Sequence, residues 1–290
     1  MKHGYLYLSL IIAMFLWGMS WPTSKILSSY ANAEFVVLWR FFFVIIGSLP
    51  VLLFLKISLK LSKDALKWLF IAGSLNALYA FSFFLALRYG TAGKGGVLVT
   101  TMVPIFSYLF LFLGFKKSHK LSKSEILGLF IGVISGLCLL NLNSLEELFG
   151  RFNVLFLFCA FVWALMSLCT HKTKGSHPLA VNFYVNCISF LLFTPLFLDS
   201  DSLFILEVDM KFWLNMFVVA FLSTVVGTSI YYYGIHILGS VRANSFILVT
   251  PVSALFTSFL ILDEVPTLLT LIGCVLAIMA IYFMGKKGKA

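Results

Sequence analysis

Carboxylates are scarce in this chain, and none lies deep in an apolar run. Eleven Asp and Glu face 21 Lys and Arg in 290 residues, and charged residues make up only 11%, against roughly 25% in soluble domains. No Asp or Glu falls in the middle of a long apolar run. That argues against coupling to protons or sodium through a buried acid, which such carriers usually keep at depth. It also removes the cluster of His, Asp, Glu or Cys at one depth that an intramembrane enzyme would need. The five cysteines, Cys138, Cys159, Cys169, Cys187 and Cys274, sit singly inside apolar runs, without the paired spacing of disulfide frameworks or metal sites. No metal and no cofactor is expected. No polar stretch is long enough to form a soluble domain.

What fills the chain instead is apolar. Hydrophobic residues reach 61% and Phe alone occurs 32 times, more than a water-soluble core of this size can bury. The apolar runs are continuous and roughly 20 residues long, which suits membrane-spanning helices rather than the alternating strands of a barrel. Ten spans can be drawn, at about 6–27, 35–55, 67–87, 95–115, 125–142, 153–171, 178–198, 212–237, 242–262 and 267–284. The N-terminal run lacks a small-residue cleavage site and is read as the first span. With the N-terminus in the cytoplasm, 15 of the 21 Lys and Arg fall in cytoplasmic segments and five outside. That is the bias of a multi-pass protein of a bacterial-type inner membrane with both termini cytoplasmic. The same bias accounts for the net charge of +10 without a nucleic-acid partner.

Half a chain separates two related stretches. Pro104 and Pro251 are 147 positions apart, Trp17 and Trp163 146, Gly128 and Gly273 145, and Phe83-Phe84 and Tyr232-Tyr233 149. Two units of five spans follow, residues 1–145 and 146–290. Five is odd, so the second unit crosses the membrane in the opposite sense. The expected fold is therefore all-α: ten transmembrane helices as two inverted five-helix repeats around a central cavity. Inverted repeats of this kind mark secondary transporters, with the site between the halves near the midplane.

Four stretches carry a family resemblance: LWGMSWPTSK at 16–25, WRFFF at 39–43, YYYGIHILGS at 231–240 and TPVSALFTSFLILDEVPTLLTLIG at 250–273. Together they resemble the EamA type of the drug/metabolite transporter superfamily, over nearly the whole chain. The resemblance implies a basket-like bundle whose cavity is lined mainly by spans 1, 3, 4, 6, 8 and 9. It also implies small metabolite substrates, often amino acids or their relatives, commonly exported. The family's acidic position is Glu264 in the second copy, and the first copy has His119 in the equivalent place.

The candidate site follows from which polar and aromatic residues share helix faces, because polar groups in lipid turn toward the bundle interior. Asn76, Tyr79 and Phe83 share a stripe on span 3. Thr224, Thr228, Tyr232 and His236 share one on span 8, and Trp163 and Ser167 one on span 6. Trp17 is read as cavity lining, while Trp21 and Lys25, nearer the end of span 1, are read as interface anchors. His236 lies near the inner end of its span and is read as interfacial. Two readings of Arg40 stand side by side, pairing with a substrate carboxylate or snorkelling to the nearby interface. Pro104 and Pro251 each remove one helical hydrogen bond and are either a hinge pair or static bends. Glu264 is read as part of a turn with a gating role. The small residues Gly128, Gly132, Gly136, Gly273 and Ala277 predict that spans 5 and 10 pack together or seat a homodimer.

These features predict a permease moving a small organic metabolite, an amino acid or a related aromatic or partly apolar compound. Export by alternating access is expected. The alternatives are an intramembrane enzyme and a membrane scaffold that transports nothing.

Overall fold

The structure, a computed structural model, describes residues 2–110, 122–140, 150–173, 176–238 and 246–285. Among them it is all helical, with no strand. The first five helices are α1 (Lys2–Leu27), α2 (Ala33–Phe54), α3 (Lys63–Tyr89), α4 (Ala92–Phe110) and α5 (Lys123–Leu140). Then come α6 (Arg151–His171), α7 (Pro178–Phe193), α8 (Met210–Met216), α9 (Thr228–Leu238), α10 (Val249–Leu262) and α11 (Leu268–Gly285). A π segment, Phe217–Gly227, joins α8 to α9 in one rod. Six segments are long and apolar enough to cross a membrane: Gly4–Leu27, Ala33–Phe54, Asp64–Tyr89, Phe152–Thr170, Pro178–Leu198 and Met210–Tyr231. Val249–Leu262 and Leu268–Phe283 are shorter apolar helices.

Several drawn boundaries move. The seventh span stops as α-helix at Phe193, where Pro195 follows, and continues as a 3-10 turn, Thr194–Leu198. The stretch drawn as the longest loop folds largely into a second 3-10 helix, Ser200–Leu206, started by the Asp199 carboxylate accepting from the Asp201 N–H. Pro251 is not mid-helix among the described residues. A 3-10 turn at Phe246–Leu248 precedes α10, and the proline stands in the first turn of the α-helix. Helix starts leave N–H groups unpaired in any case, so proline costs little there. Pro104 remains well inside α4. The matched pair of mid-helix kinks is therefore not reproduced. His119 lies outside the described residues.

Packing is built on close approach. In lipid there is little hydrophobic drive between helices, so small residues that let backbones touch carry much of the association. The α5–α11 seam is the most extensive. Its Ser135 hydroxyl donates to the Gly273 carbonyl at 2.7 Å, and a methyl added to Gly273 would sit 2.8 Å from Leu139. Gly273 of α11 thus faces α5, while Gly132 and Gly136 of α5 come nearest to Ile105 and Met102 of α4. The α1–α10 crossing is tighter still, since a Cβ at Gly18 would lie 1.8 Å from the Ser253 hydroxyl and 2.7 Å from the Ala254 backbone nitrogen. Around these seams, partners recur in matched pairs. Helix α3 lies along α6 as the π-bearing rod lies along α1, and α4 meets α6 as α10 meets α1. Phe41, Phe84, Phe156 and Phe212 are fully buried in the main apolar cluster.

Gly18→Ala is expected to cost at least the roughly 1–3 kcal/mol of an overpacked core, because backbone stands in the way. Gly4→Ala, with nothing within 4 Å, is expected to leave the melting temperature unchanged. Equal melting temperatures for the two variants in detergent would remove the close-approach argument.

Candidate functional site

Helix ends from both halves of the chain meet where α1, α3 and α10 stop and α2, α4 and α11 begin. Glu264 is central there. Asp263, with φ 54°, turns the chain after α10 through the left-handed region that Asp tolerates better than most residues. This aims the Glu264 carboxylate at the start of α4, where its two oxygens accept from the N–H groups of Ala92 and Gly93, each at 2.9 Å. Lys25 of α1 stands 3.7 Å from the same carboxylate and donates to the Gly90 carbonyl. A carboxylate on a helix N-terminus satisfies orphan donors and meets the positive end of the dipole. Glu264 is therefore more than a turn residue, since it ties α10 to α4 and α1. Lys25 is not a lipid anchor. Trp21 is not one either: it is 4% exposed and meets the Phe83 ring edge-on at 4.9 Å and Phe156 at 6.0 Å.

Below this tie runs a column of rings. Phe83 and Tyr79 stack at 5.8 Å, and Tyr79 meets Trp163 edge-on at 5.3 Å. The sequence stripe on the third span and the tryptophan of the sixth are thus brought together by the α3–α6 packing. Asn76 is drawn elsewhere. Its amide donates to the Ser189 hydroxyl at 2.9 Å, and Ser189 donates to the Gly73 carbonyl at 2.8 Å, which makes Asn76 a bond between α3 and α7. Arg40 lies in α2 with its guanidinium 5.5 Å from the Phe41 ring centroid.

Trp17 sits against the π-bearing rod. Its indole N–H donates to the Ser223 carbonyl at 3.2 Å, and its ring lies 5.0 Å from Tyr231. At the end of the π segment the Thr228 N–H turns back to the Val225 carbonyl. A long irregular turn of this kind alters which carbonyls pair within the helix, and π segments recur at functional sites. Gly227 lets the indole approach, since a Cβ there would lie 3.2 Å from it. Thr228 is half-buried at the start of α9. The side chains of Tyr232 and His236 lie outside the described residues. Pro104 is half-buried and Pro251 buried. Periodicity missed Tyr231 and Ser223. Trp21 carried a legible signal, because it shares a helical face with Trp17.

Two concavities flank this middle. One of about 510 Å³ opens at the Glu264 end and is lined by Tyr30, Asn32, Arg88, Asp201, Phe204 and Glu207 among others. The other is a narrow cleft of about 10 Å³ between Ser48, Leu52, Leu179, Asn182, Val225 and Ser229, room for about one water. The roomier concavity lies away from the ring column. The column is the better candidate for recognition, because it joins aromatic walls to polar groups from several helices.

The EamA-like transporter family profile matches the chain twice, over residues 4–142 and again over 151–286. The chain belongs to the EamA-like transporter family. It is 24% identical over 293 residues to the uncharacterized transporter YyaM of Bacillus subtilis strain 168, covering 97% of this chain and 93% of that one. A solved crystal structure superposes with a TM-score of 0.62 at 17% identity, covering 97% of each chain, a likeness of fold alone. Family and relative point to a multi-pass membrane transporter rather than an enzyme.

Glu264→Ala strips an acceptor from two N–H groups and is expected to cost about 1.5–3 kcal/mol, the scale of hydrogen bonds to a charged group. Lys25→Met removes a partly exposed ion pair, worth at most about 1 kcal/mol, and the bond to the Gly90 carbonyl, and should cost less because the Glu264 carboxylate keeps both of its N–H donors. Thermal unfolding of both variants in detergent checks the order, and a larger loss for Lys25→Met would overturn it.

At the same end, the Tyr30 hydroxyl donates to Asp209 at 2.6 Å, and Asp209 also accepts from the Phe212 N–H at 2.9 Å. Partial burial, then Asp209, pushes the Tyr30 hydroxyl up to about 12. The Tyr30 bond, then the Phe212 N–H, holds Asp209 below the usual carboxylate range. A lowered acid contributes stability above its unfolded value of about 3.9 and loses it as pH falls through the folded value. A raised tyrosine contributes below its unfolded value of about 10 and loses that contribution as pH climbs through the folded value. Melting temperatures of the wild type and Tyr30→Phe should differ most between about pH 5 and 9 and converge at both extremes. A gap constant from about pH 3 to 12 would break the link.

Proposed function

We propose that the chain is a secondary transporter that moves a small organic metabolite, an amino acid or a related compound with an aromatic or partly apolar body, outward across a bacterial-type inner membrane. The reading takes residues 1–145 and 146–290 as two inverted five-helix halves, with both termini cytoplasmic, that rock about a shared site. The observation that carries it is the matched packing of a tryptophan from each half on the third helix of the other. Trp163 of α6 lies on Tyr79 of α3, and Trp17 of α1 lies on Tyr231 of the π-bearing rod. Two such contacts, 146 positions apart in their tryptophans, support reading the seam between the halves as the solute site, since inverted-repeat carriers hold their solute between the repeats. Trp17, Tyr79, Phe83, Trp163 and Thr228 are the wall residues of this reading, with Tyr232 retained from the sequence and Asn76 behind the wall. Glu264, with Lys25, is the gate at the end facing outward in this topology. Arg40, Pro104 and Pro251 are candidates for the moving parts, Pro104 being the one that can bend a helix within its length.

Proteoliposomes holding the full chain, loaded with a panel of labelled amino acids, aromatic acids and nucleosides, test the proposal. Saturable flux of at least one compound is expected in both loading directions, reduced at least about tenfold by Trp163→Ala, a loss of about 1.4 kcal/mol or more. No flux above empty vesicles across the panel would reject transport. Labelling of a cysteine at Ser200 only from the cytoplasmic side would reject the topology.

A further inference from the structure

Two ammonium groups from different helices converge on one indole at the end of the molecule where α3 begins and α6 stops. Lys67 Nζ lies 5.9 Å from the Trp68 ring centroid, and Lys172 Nζ lies 5.3 Å from the same point. Lys67 is the neighbour of Trp68 in α3. Lys172 holds the C-terminal cap position of α6, so its approach to the ring is made by the fold. The two charges stand no farther apart than the sum of those distances. A ring face attracts each ammonium, but it leaves their mutual repulsion uncancelled. Among the described residues neither ammonium makes an ion pair or a hydrogen bond. Asp64, the acid in the first turn of α3, pairs with neither.

The level of the pair along the bundle decides which anion joins it. Lys67 and Trp68 stand near the edge of the apolar stretch Asp64–Tyr89, and Lys172 lies just beyond the end of Phe152–Thr170. Trp68 and Tyr184 pack half-buried on a small core at this end that includes Leu69 and Val181. The Tyr184 hydroxyl donates to the Leu59 carbonyl at 3.0 Å. Trp and Tyr beside lysines at span ends mark the headgroup layer of a bilayer. An apolar strip lies next to Lys67 on the helix surface, where Leu66 and Phe70 are 61% and 59% exposed. At 3.6 residues per turn, Lys67 sits roughly 100° from Leu66 and 60° from Phe70, on the way round to Trp68. An unpaired positive charge thus borders an apolar face that is open to lipid.

We propose that Lys67, Lys172 and Trp68 hold the headgroup of an anionic phospholipid, with phosphate oxygens between the two ammoniums and acyl chains along Leu66 and Phe70. A phosphodiester supplies the missing negative charge and accepts charge-assisted hydrogen bonds from both lysines. A zwitterionic lipid carries its own cation beside the phosphate, which two further cations repel, so the site selects lipid of net negative charge. In the topology proposed above, this end faces the cytoplasmic leaflet, where anionic headgroups attract lysines next to a span. The site lies outside the ring column, and the inference needs no flux.

The test uses the purified full chain in detergent and phosphate-free buffer, with thermal stability read by size-exclusion retention after heating. Dioleoyl phosphatidylglycerol is titrated beside dioleoyl phosphatidylcholine, and beside glycerol 3-phosphate and inorganic phosphate as free anions of the same chemistry. Saturable stabilisation by phosphatidylglycerol alone is expected. Lys67→Gln and Lys172→Gln should each raise the lipid concentration at half effect about fivefold, and the double variant roughly thirtyfold, the scale of one and two lysine charges at an anionic surface. Lys67→Arg/Lys172→Arg should keep the effect. Lys56→Gln/Lys60→Gln, at two exposed lysines before α3, should leave it unchanged. Equal stabilisation by phosphatidylcholine overturns the proposal, because apolar cover alone then suffices. An equal loss from Lys56→Gln/Lys60→Gln overturns it too, because diffuse charge then suffices. Stabilisation by glycerol 3-phosphate or inorganic phosphate at matching concentration gives the pair to a soluble anion and rejects the lipid. No response to phosphatidylglycerol rejects the site.

Discussion

Backbone contact at small residues is the constraint on which the rest of the bundle depends. A helix pair in lipid gains little from excluding water, and its association rests on atoms brought within van der Waals range. Gly18 against Ser253 and Ala254 allows α1 and α10 to cross without a side chain between them. Gly273 against Ser135 and Leu139 does the same for α5 and α11. These two crossings fix where α4 and the π-bearing rod can lie. The ring column and the Glu264 tie are arranged in the space that remains.

Polar groups in this chain divide by what they pair with. Asn76 and Ser189 pair with each other, and their bond holds α3 to α7. Glu264 pairs with backbone N–H groups of another helix, so its charge is spent on joining elements. The Arg40 guanidinium, the Tyr79 hydroxyl and the Trp163 indole N–H make no hydrogen bond among the described residues, and the three side chains rest against rings instead.

Much of this was legible in the residues. Composition and run length spoke for a helical membrane protein, and the quoted stretches pointed to the family that the profile match shows. The stripe of Tyr79 and Phe83 and the position of Trp163 were readable from helical spacing, because a shared face survives folding. The fifth and last spans pack together as their small residues suggested, with Gly273 at the contact. What could not be read depends on partners distant in sequence. Lys25 and Trp21 looked like anchors because they lie near a helix end, yet Gly90, Phe83 and Phe156 enclose them. Glu264 looked like a turn residue because the N–H groups it accepts from belong to a helix 171 residues away. Pro251 looked mid-helix because an apolar run does not show where 3-10 geometry gives way to α.

The π segment has a consequence for the duplicated sequence. Three of the four matched positions are 145 to 147 apart, but Phe83 and Tyr232 are 149 apart, so the second copy carries a surplus of two or three residues before its aromatic pair. Eleven residues wound as a π helix complete about 2.5 turns, where an α-helix would complete about three. The difference is close to the rotation of two residues. The looser winding thus takes up about the rotation that two extra residues would add to a regular helix. A rod wound this way holds about two residues more than a regular α-helix of the same total rotation.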